Sequence, residues 1–171
     1  MIIDLASVGR NPKPLEITFE PGEIDLDEGT RLTGNASFTG EISRDGAKTG
    51  VSGRIEAGVE TDCFRCLEPV AKKIDVRFED IFVDAADEST VNEIELCEDE
   101  LNESLITNCE IDMAEVIREQ LILATTETVY CNPDCKGLCP KCGENRNLID
   151  CKCEENEPDP RWAALRNVNR K

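Results

Sequence analysis

Apolar and polar residues alternate through the first half of the chain and divide it into extended segments. After an irregular lead-in, Met1 to Pro14, the residues Leu15, Ile17 and Phe19 alternate with polar neighbours and are stopped by Pro21-Gly22. Leu32, Ala36, Phe38 and Ile42 share the even positions of the next stretch, and Val51, Ile55, Ala57, Val59 and Cys63 share the odd positions of the one after it. Between these two lies Ser43-Arg44-Asp45-Gly46-Ala47, with Gly46 free to take a positive φ, which predicts a β-hairpin. Val70, Ile74, Val76, Phe78 and Phe82 return to even positions after a Cys63-Phe64-Arg65-Cys66 corner and predict a further strand. Gly34, Gly40, Gly53 and Gly58 beside these strands imply bulges and a sheet that curls toward a barrel.

The period changes once. After an acidic connector from Asp84 to Asn92 and an ambiguous short strand near Val91 to Leu96, Asp112 reads as a helix N-cap with Glu115 three residues on. Met113, Val116, Ile117, Gln120, Leu121 and Ala124 then follow one helical face. Thr125 to Tyr130 favour an extended exit. Near the end, Asp159-Pro160-Arg161-Trp162-Ala163-Ala164-Leu165 reads as a cap, a proline at the first helical position and a short helix. Trp162 and Leu165 would pack this helix onto the main domain. The predicted class is α+β: a curved antiparallel β-meander or partly open barrel packed by an amphipathic helix, with a small C-terminal zinc-knuckle appendage. The expected units are residues 1–130, a cysteine-rich zinc-binding segment 131–157, and a short helix with a basic tail, 158–171.

That appendage rests on cysteines. Six of the ten fall between Cys131 and Cys153, in a stretch too polar to fix its own conformation by apolar burial. Cys139-Pro140-Lys141-Cys142-Gly143 has knuckle form, two thiolates at Cys-x-x-Cys spacing and a glycine for the tight turn. Structural zinc is tetrahedral, so six candidates compete for four places. The chosen set is Cys135, Cys139, Cys142 and Cys153, with Cys131 and Cys151 as alternates. Disulfides would need an oxidising compartment, and the N-terminal segment lacks the basic start and long apolar core of a secretory leader, so the expected location is the cytoplasm. Four thiolates fill the coordination sphere, so the metal is read as structural. Cys63 and Cys66 supply only two obvious donors, and a second metal, ligands lent to the first, a redox pair and plain packing all stay open for them. Arg65 between them is a candidate recognition residue, and Cys97 and Cys109 read as small hydrophobes.

Charge narrows the partners. With 37 acidic and 19 basic residues the formal charge is −18, which opposes nonspecific attraction to a phosphate backbone. A basic ribosomal protein or RNA-maturation factor is the better match, with RNA engaged at most indirectly. Only the tail from Arg166 to Lys171 is locally basic. The chain has no histidine, no phosphate-cradling glycine loop and no nucleophile beside a base, so no enzymatic centre is indicated.

Three short motifs in order carry a resemblance: Cys63-Phe64-Arg65-Cys66-Leu67 after a meander, Cys135-Lys136-Gly137-Leu138-Cys139-Pro140-Lys141-Cys142-Gly143 after a helix, and Asp159-Pro160-Arg161-Trp162 with Leu165. Together they resemble the YceD family, the large ribosomal RNA subunit accumulation proteins. The resemblance implies a non-enzymatic factor in ribosome biogenesis. The alternative from the residues alone is a thiol redox or metal-handling protein using Cys63-x-x-Cys66 with the C-terminal cysteines.

Overall fold

A computed structural model of the chain describes residues 1–27, 29–84, 103–106, 108–125, 128–153 and 161. The predicted strand near residues 91–96, Cys97 and the Trp162 helix lie outside them. The order of elements is β1 (Ile2–Asp4), a 3₁₀ turn (Leu5–Ser7), β2 (Lys13–Phe19), β3 (Thr30–Leu32), β4 (Ala36–Asp45), β5 (Lys48–Asp62), β6 (Pro69–Asp84), β7 (Glu103–Ile106), β8 (Glu110–Asp112) and α1 (Met113–Thr125). The described residues are therefore mostly sheet with one helix.

The large sheet runs β2-β4-β5-β6-β7, and β3 lies along β5 beyond the end of β4. As the alternation predicts, β4 and β5 form a hairpin in which Asp45 faces Lys48 across Gly46 at φ 65°. β5 and β6 pair along the whole of β5, from Lys48 opposite Val83 to Asp62 opposite Pro69. The Cys63-Phe64-Arg65-Cys66 corner is the tip of this long hairpin. Two features depart from a plain meander. β7 pairs parallel to β6, and β1 with β8 forms a separate two-stranded sheet where an irregular lead-in was expected. The sheets remain open and do not close into a barrel.

The glycines act locally. Where β3 passes into β4, the four residues 33–36 stand opposite two of β5, a bulge-like excess at which Thr33 N–H donates to the Gly58 carbonyl at 2.9 Å. Gly40 and Gly53 face each other across β4 and β5, beneath the ring of Phe38, which is buried and lies 5.7 Å from the ring of Phe78. A Cβ on Gly53 would come within 2.4 Å of the Phe38 ring, and one on Gly40 within 2.1 Å of the Ser52 carbonyl oxygen. The missing side chains thus make room for an aromatic ring to lie against the backbone.

The predicted helix forms, capped as expected: the Asp112 carboxylate accepts the Ala114 N–H at 3.0 Å. Its buried face, Met113, Val116, Ile117 and Leu121, joins Phe38, Ile42, Val51, Ile55 and Val59 in one core. Cys63, Cys66 and Cys135 form a second, smaller cluster with Val70 and Leu138 packed against it. The hairpin tip is held by that cluster and not by the main core.

The glycine pair gives a direct test of this packing. Gly53→Ala should lower stability in urea unfolding by about 1–3 kcal/mol, the usual cost of overpacking. Gly34→Ala, whose new methyl would meet nothing within 4 Å, should change it by less than about 0.5 kcal/mol.

Candidate metal centres

Two groups of four sulfurs stand out among the described residues. Cys63, Cys66, Cys131 and Cys135 form one, Cys139, Cys142, Cys151 and Cys153 the other, and within each group all Sγ atoms lie within 4.8 Å of one another. The nine described cysteines are all free thiols.

The first group joins the hairpin tip to the segment after α1. Cys63 and Cys66 come from the corner between β5 and β6, where Leu67 N–H closes a turn on the Cys63 carbonyl at 2.9 Å. The chain leaving α1 is drawn to that tip by its backbone: Phe64 N–H donates to Val129, and Leu138 N–H donates to Arg65, each at 2.9 Å. Arg65 completes the clasp. Its guanidinium donates to the Cys135 carbonyl at 2.9 Å and lies 4.4 Å from the centre of the Tyr130 ring. The residue expected to recognise a partner therefore ties two parts of this chain together. Gly137 fits against it at φ 72°, since a Cβ there would lie 2.9 Å from the Arg65 carbonyl oxygen.

Within this group Cys63 Sγ lies 3.9 Å from Cys135 Sγ, and Cys66 Sγ lies 3.5 Å from Cys131 Sγ. A tetrahedral ion with metal–sulfur bonds of about 2.3 Å requires sulfur–sulfur edges of about 3.8 Å. The residues present fit such an ion. Burial alone pushes the Cys63 thiol up, but backbone N–H groups of Cys131, Arg65 and Cys66 outweigh it and hold the pKa at about 6. Cys131 is pushed the other way, to about 12, by sharing its proton with Cys66 and Cys135. Asn147 adds a donor from the far loop: its Nδ2 reaches Cys135 Sγ at 3.2 Å, while its Oδ1 accepts Lys136 N–H at 2.8 Å. Asn145 Nδ2 in turn reaches the Glu68 carboxylate at 3.2 Å.

The second group is local to the knuckle. Gly143 takes φ 76°, its N–H donates to the Cys139 carbonyl at 2.9 Å, and Cys139 N–H donates to Glu144 at 2.8 Å. N–H groups of Cys142 and Lys141, helped by the Cys151 thiol, hold Cys139 at about 6. Cys153 is pushed to about 12, chiefly by its hydrogen bond to Cys142. Each group therefore combines a thiol set up for ionisation with one that keeps its proton against its neighbours. A bound divalent cation would replace those shared protons and leave all four sulfurs as thiolates.

The expected quartet of Cys135, Cys139, Cys142 and Cys153 is not brought together. Cys139, Cys142 and Cys153 do share a group, but Cys135 belongs to the other, and Cys151 stands in its place. The cause lies between Cys135 and Cys139, where the left-handed Gly137 turns the chain so that the two sulfurs face different clusters. Asn145 and Asn147 were legible only as loop residues, and their role as donors depends on that same turn. Cys109 belongs to neither group among the described residues: its thiol donates to the Asp84 carboxylate, which raises its pKa and, together with burial, keeps it protonated.

Comparisons with known proteins converge on one family. The model described as large ribosomal RNA subunit accumulation protein YceD matches residues 51–169. An uncharacterized protein of Mycobacterium tuberculosis is 28% identical over 173 residues, covering 96% of this chain and 79% of its own. A chloroplastic large ribosomal RNA subunit accumulation protein, YCED homolog 1 of Arabidopsis thaliana, is 41% identical over 59 residues, 34% of this chain and 18% of its own. The Zea mays protein of that name is 25% identical over 176 residues, 88% of this chain and 59% of its own. No solved structure matches the chain.

The partition of sulfurs is open to spectroscopy. Titration with Co2+ under reducing conditions should give thiolate charge-transfer bands that saturate at two ions per chain, one for each group. Cys135→Ser should remove the ion shared with Cys63 and leave the other, and Cys151→Ser should do the reverse. Loss of the same ion from Cys135→Ser and Cys139→Ser would contradict the partition.

Proposed function

Because this chain belongs to the YceD family of large ribosomal RNA subunit accumulation proteins, we propose that it is a non-enzymatic factor that supports accumulation of large-subunit ribosomal RNA by holding a basic ribosomal or RNA-maturation protein. The observation that carries this reading is the clasp of the β5–β6 tip by the segment after α1: the stretch matched by the family contains all eight clustered cysteines, and four of them join that tip to the segment. We assign Zn2+ to both groups, since four thiolates at tetrahedral spacing suit it and leave no open position for an activated water. The ions are structural.

A formal charge of −18 supports a basic protein as the direct partner, with RNA reached through it. The cytoplasm fits a chain whose cysteines are kept as thiols; among the described residues no helix is long and apolar enough to cross a membrane. A thiol redox role is less well supported. Its obvious nucleophile, Cys63, is fully buried, and a depressed pKa in a group of four sulfurs is what metal binding requires.

Complementation tests the role. In a strain lacking the gene, large-subunit ribosomal RNA should fall relative to the small-subunit RNA, and the wild-type chain should restore it. Cys63→Ser/Cys66→Ser should not restore it. The purified protein should bind single-stranded RNA weakly and without a steep salt slope, and tight RNA binding with a steep slope would defeat the assignment of a protein partner.

A further inference from the structure

Beside the first group of sulfurs the hairpin tip borders a cleft of about 360 Å3 between β3, the end of β5 and α1. Leu26 and Ile122 line it from the core side, Phe64 and Leu67 from the tip, and the carboxylates of Asp27 and Asp62 from the rim. Phe64 and Leu67 are 62% and 61% exposed, although both belong to the most tightly tied part of the chain. The Phe64 N–H is bonded to Val129 and that of Leu67 to Cys63.

Leu67 adds an independent sign. It has φ 60°, the left-handed region that a branched side chain disfavours. Glycine or asparagine would suit that backbone better, and a leucine there directs an apolar side chain to water at a conformational cost. The same turn recurs at Gly143, whose N–H bonds the Cys139 carbonyl at φ 76°, so the backbone belongs to the Cys-x-x-Cys turn, and what folding leaves unexplained is the exposed leucine where the other turn has glycine. The charge is also one-sided: among the described residues no lysine or arginine lines the cleft. Asp27 has Arg118 nearby at 3.4 Å, while Asp62 has no cationic partner among the described residues.

We propose that this cleft is the docking site for the basic partner, and that it takes an amphipathic helical segment whose apolar face covers Phe64 and Leu67 while flanking lysines or arginines meet Asp62 and Asp27. The inference rests on the functional reading above and specifies its surface. An apolar floor with an acidic rim selects such a segment over nucleic acid, whose phosphates the rim repels. Cys63 forms part of the wall, so the metal group beneath sets the shape of the site. The tip is pre-organised, which limits the entropy lost on docking.

The test uses the full chain loaded with zinc and a fluorescein-labelled 18-residue peptide of leucine and lysine in helical amphipathic order, with a peptide of the same composition in scrambled order as control. Anisotropy should show the ordered peptide bound at least tenfold more tightly than the scrambled one. Phe64→Ser/Leu67→Asn should abolish that preference without loss of zinc, and Asp62→Asn should weaken binding of the ordered peptide severalfold and flatten its salt dependence. Leu67→Asn alone should bind less while keeping or raising Tm, a combination that a merely structural leucine would not give. Equal binding of the two peptides, or a double variant that keeps the preference, overturns the proposal. So does a concentration-dependent dimer of the wild type that the double variant loses, which would make a second copy the occupant. A shift in Trp162 emission caused by the double variant without peptide would assign the cleft to the chain's own C-terminal residues and also overturn it. Peptide binding reads the cleft alone and complementation reads the cellular role, so either can fail without the other.

Discussion

The structure depends on how the far end of the β5–β6 hairpin is held. Two strands of this length carry their shared turn beyond the reach of the main core, and a bare hairpin end in water frays. Val59 on β5 and Ile74 on β6 are the last large side chains of these two strands, going toward the tip, that belong to the main core. Past them the contacts are sulfur, with Val70 and Leu138 alongside. Four sulfurs within 4.8 Å are a poor apolar core, because burial and mutual repulsion both act against ionising them. Bound to a divalent cation they become a cross-link between chain segments far apart in sequence. An ion bound there would couple folding of the tip to its own loading.

The two groups differ in what they join. Cys139, Cys142, Cys151 and Cys153 close a short local loop and stabilise a knuckle that has almost no apolar content. Cys63, Cys66, Cys131 and Cys135 connect residues about seventy positions apart, as the Cys63 to Cys135 contact shows. The entropy removed by a cross-link rises with the loop it closes, so the first group constrains the unfolded chain more. It also fixes the direction in which α1 hands the chain over to the knuckle, because Val129, Tyr130 and Leu138 all reach the tip through Phe64 and Arg65. Coordination, backbone pairing and the arginine stack serve the same clasp.

Much of this was legible in the sequence, and the limits have physical causes. Strands β4, β5 and β6 declare themselves because each buries one face and alternates strictly, and α1 because its apolar residues keep a helical period behind an aspartate cap. The parallel partner β7 and the pairing of β1 with β8 are non-local, and short strands carry too few residues for a pattern. The knuckle half of the second centre could be read from Cys139, Cys142 and Gly143, whose spacing is itself the geometry. The assignment of Cys135 could not. Cys131 and Cys139 lie equally far from it in sequence, yet only Cys131 shares its group, and between Cys135 and Cys139 stands a left-handed Gly137 seated on the Arg65 carbonyl, a contact between residues that no spacing rule connects.

Arg65 shows how the same limit affects function. Between two buried cysteines, an exposed arginine reads as a recognition residue, yet its donors and its ring contact are turned inward upon the chain. The large apolar residues left facing water at the tip are Phe64 and Leu67. With a basic partner docked as proposed, the combination would give selectivity: long-range charge attracts basic surfaces in general, and a fixed apolar floor retains only those that present a matching face. An ion bound by the first group of sulfurs would fix the shape of that corner, since Cys63 and Cys66 flank Phe64 and Arg65.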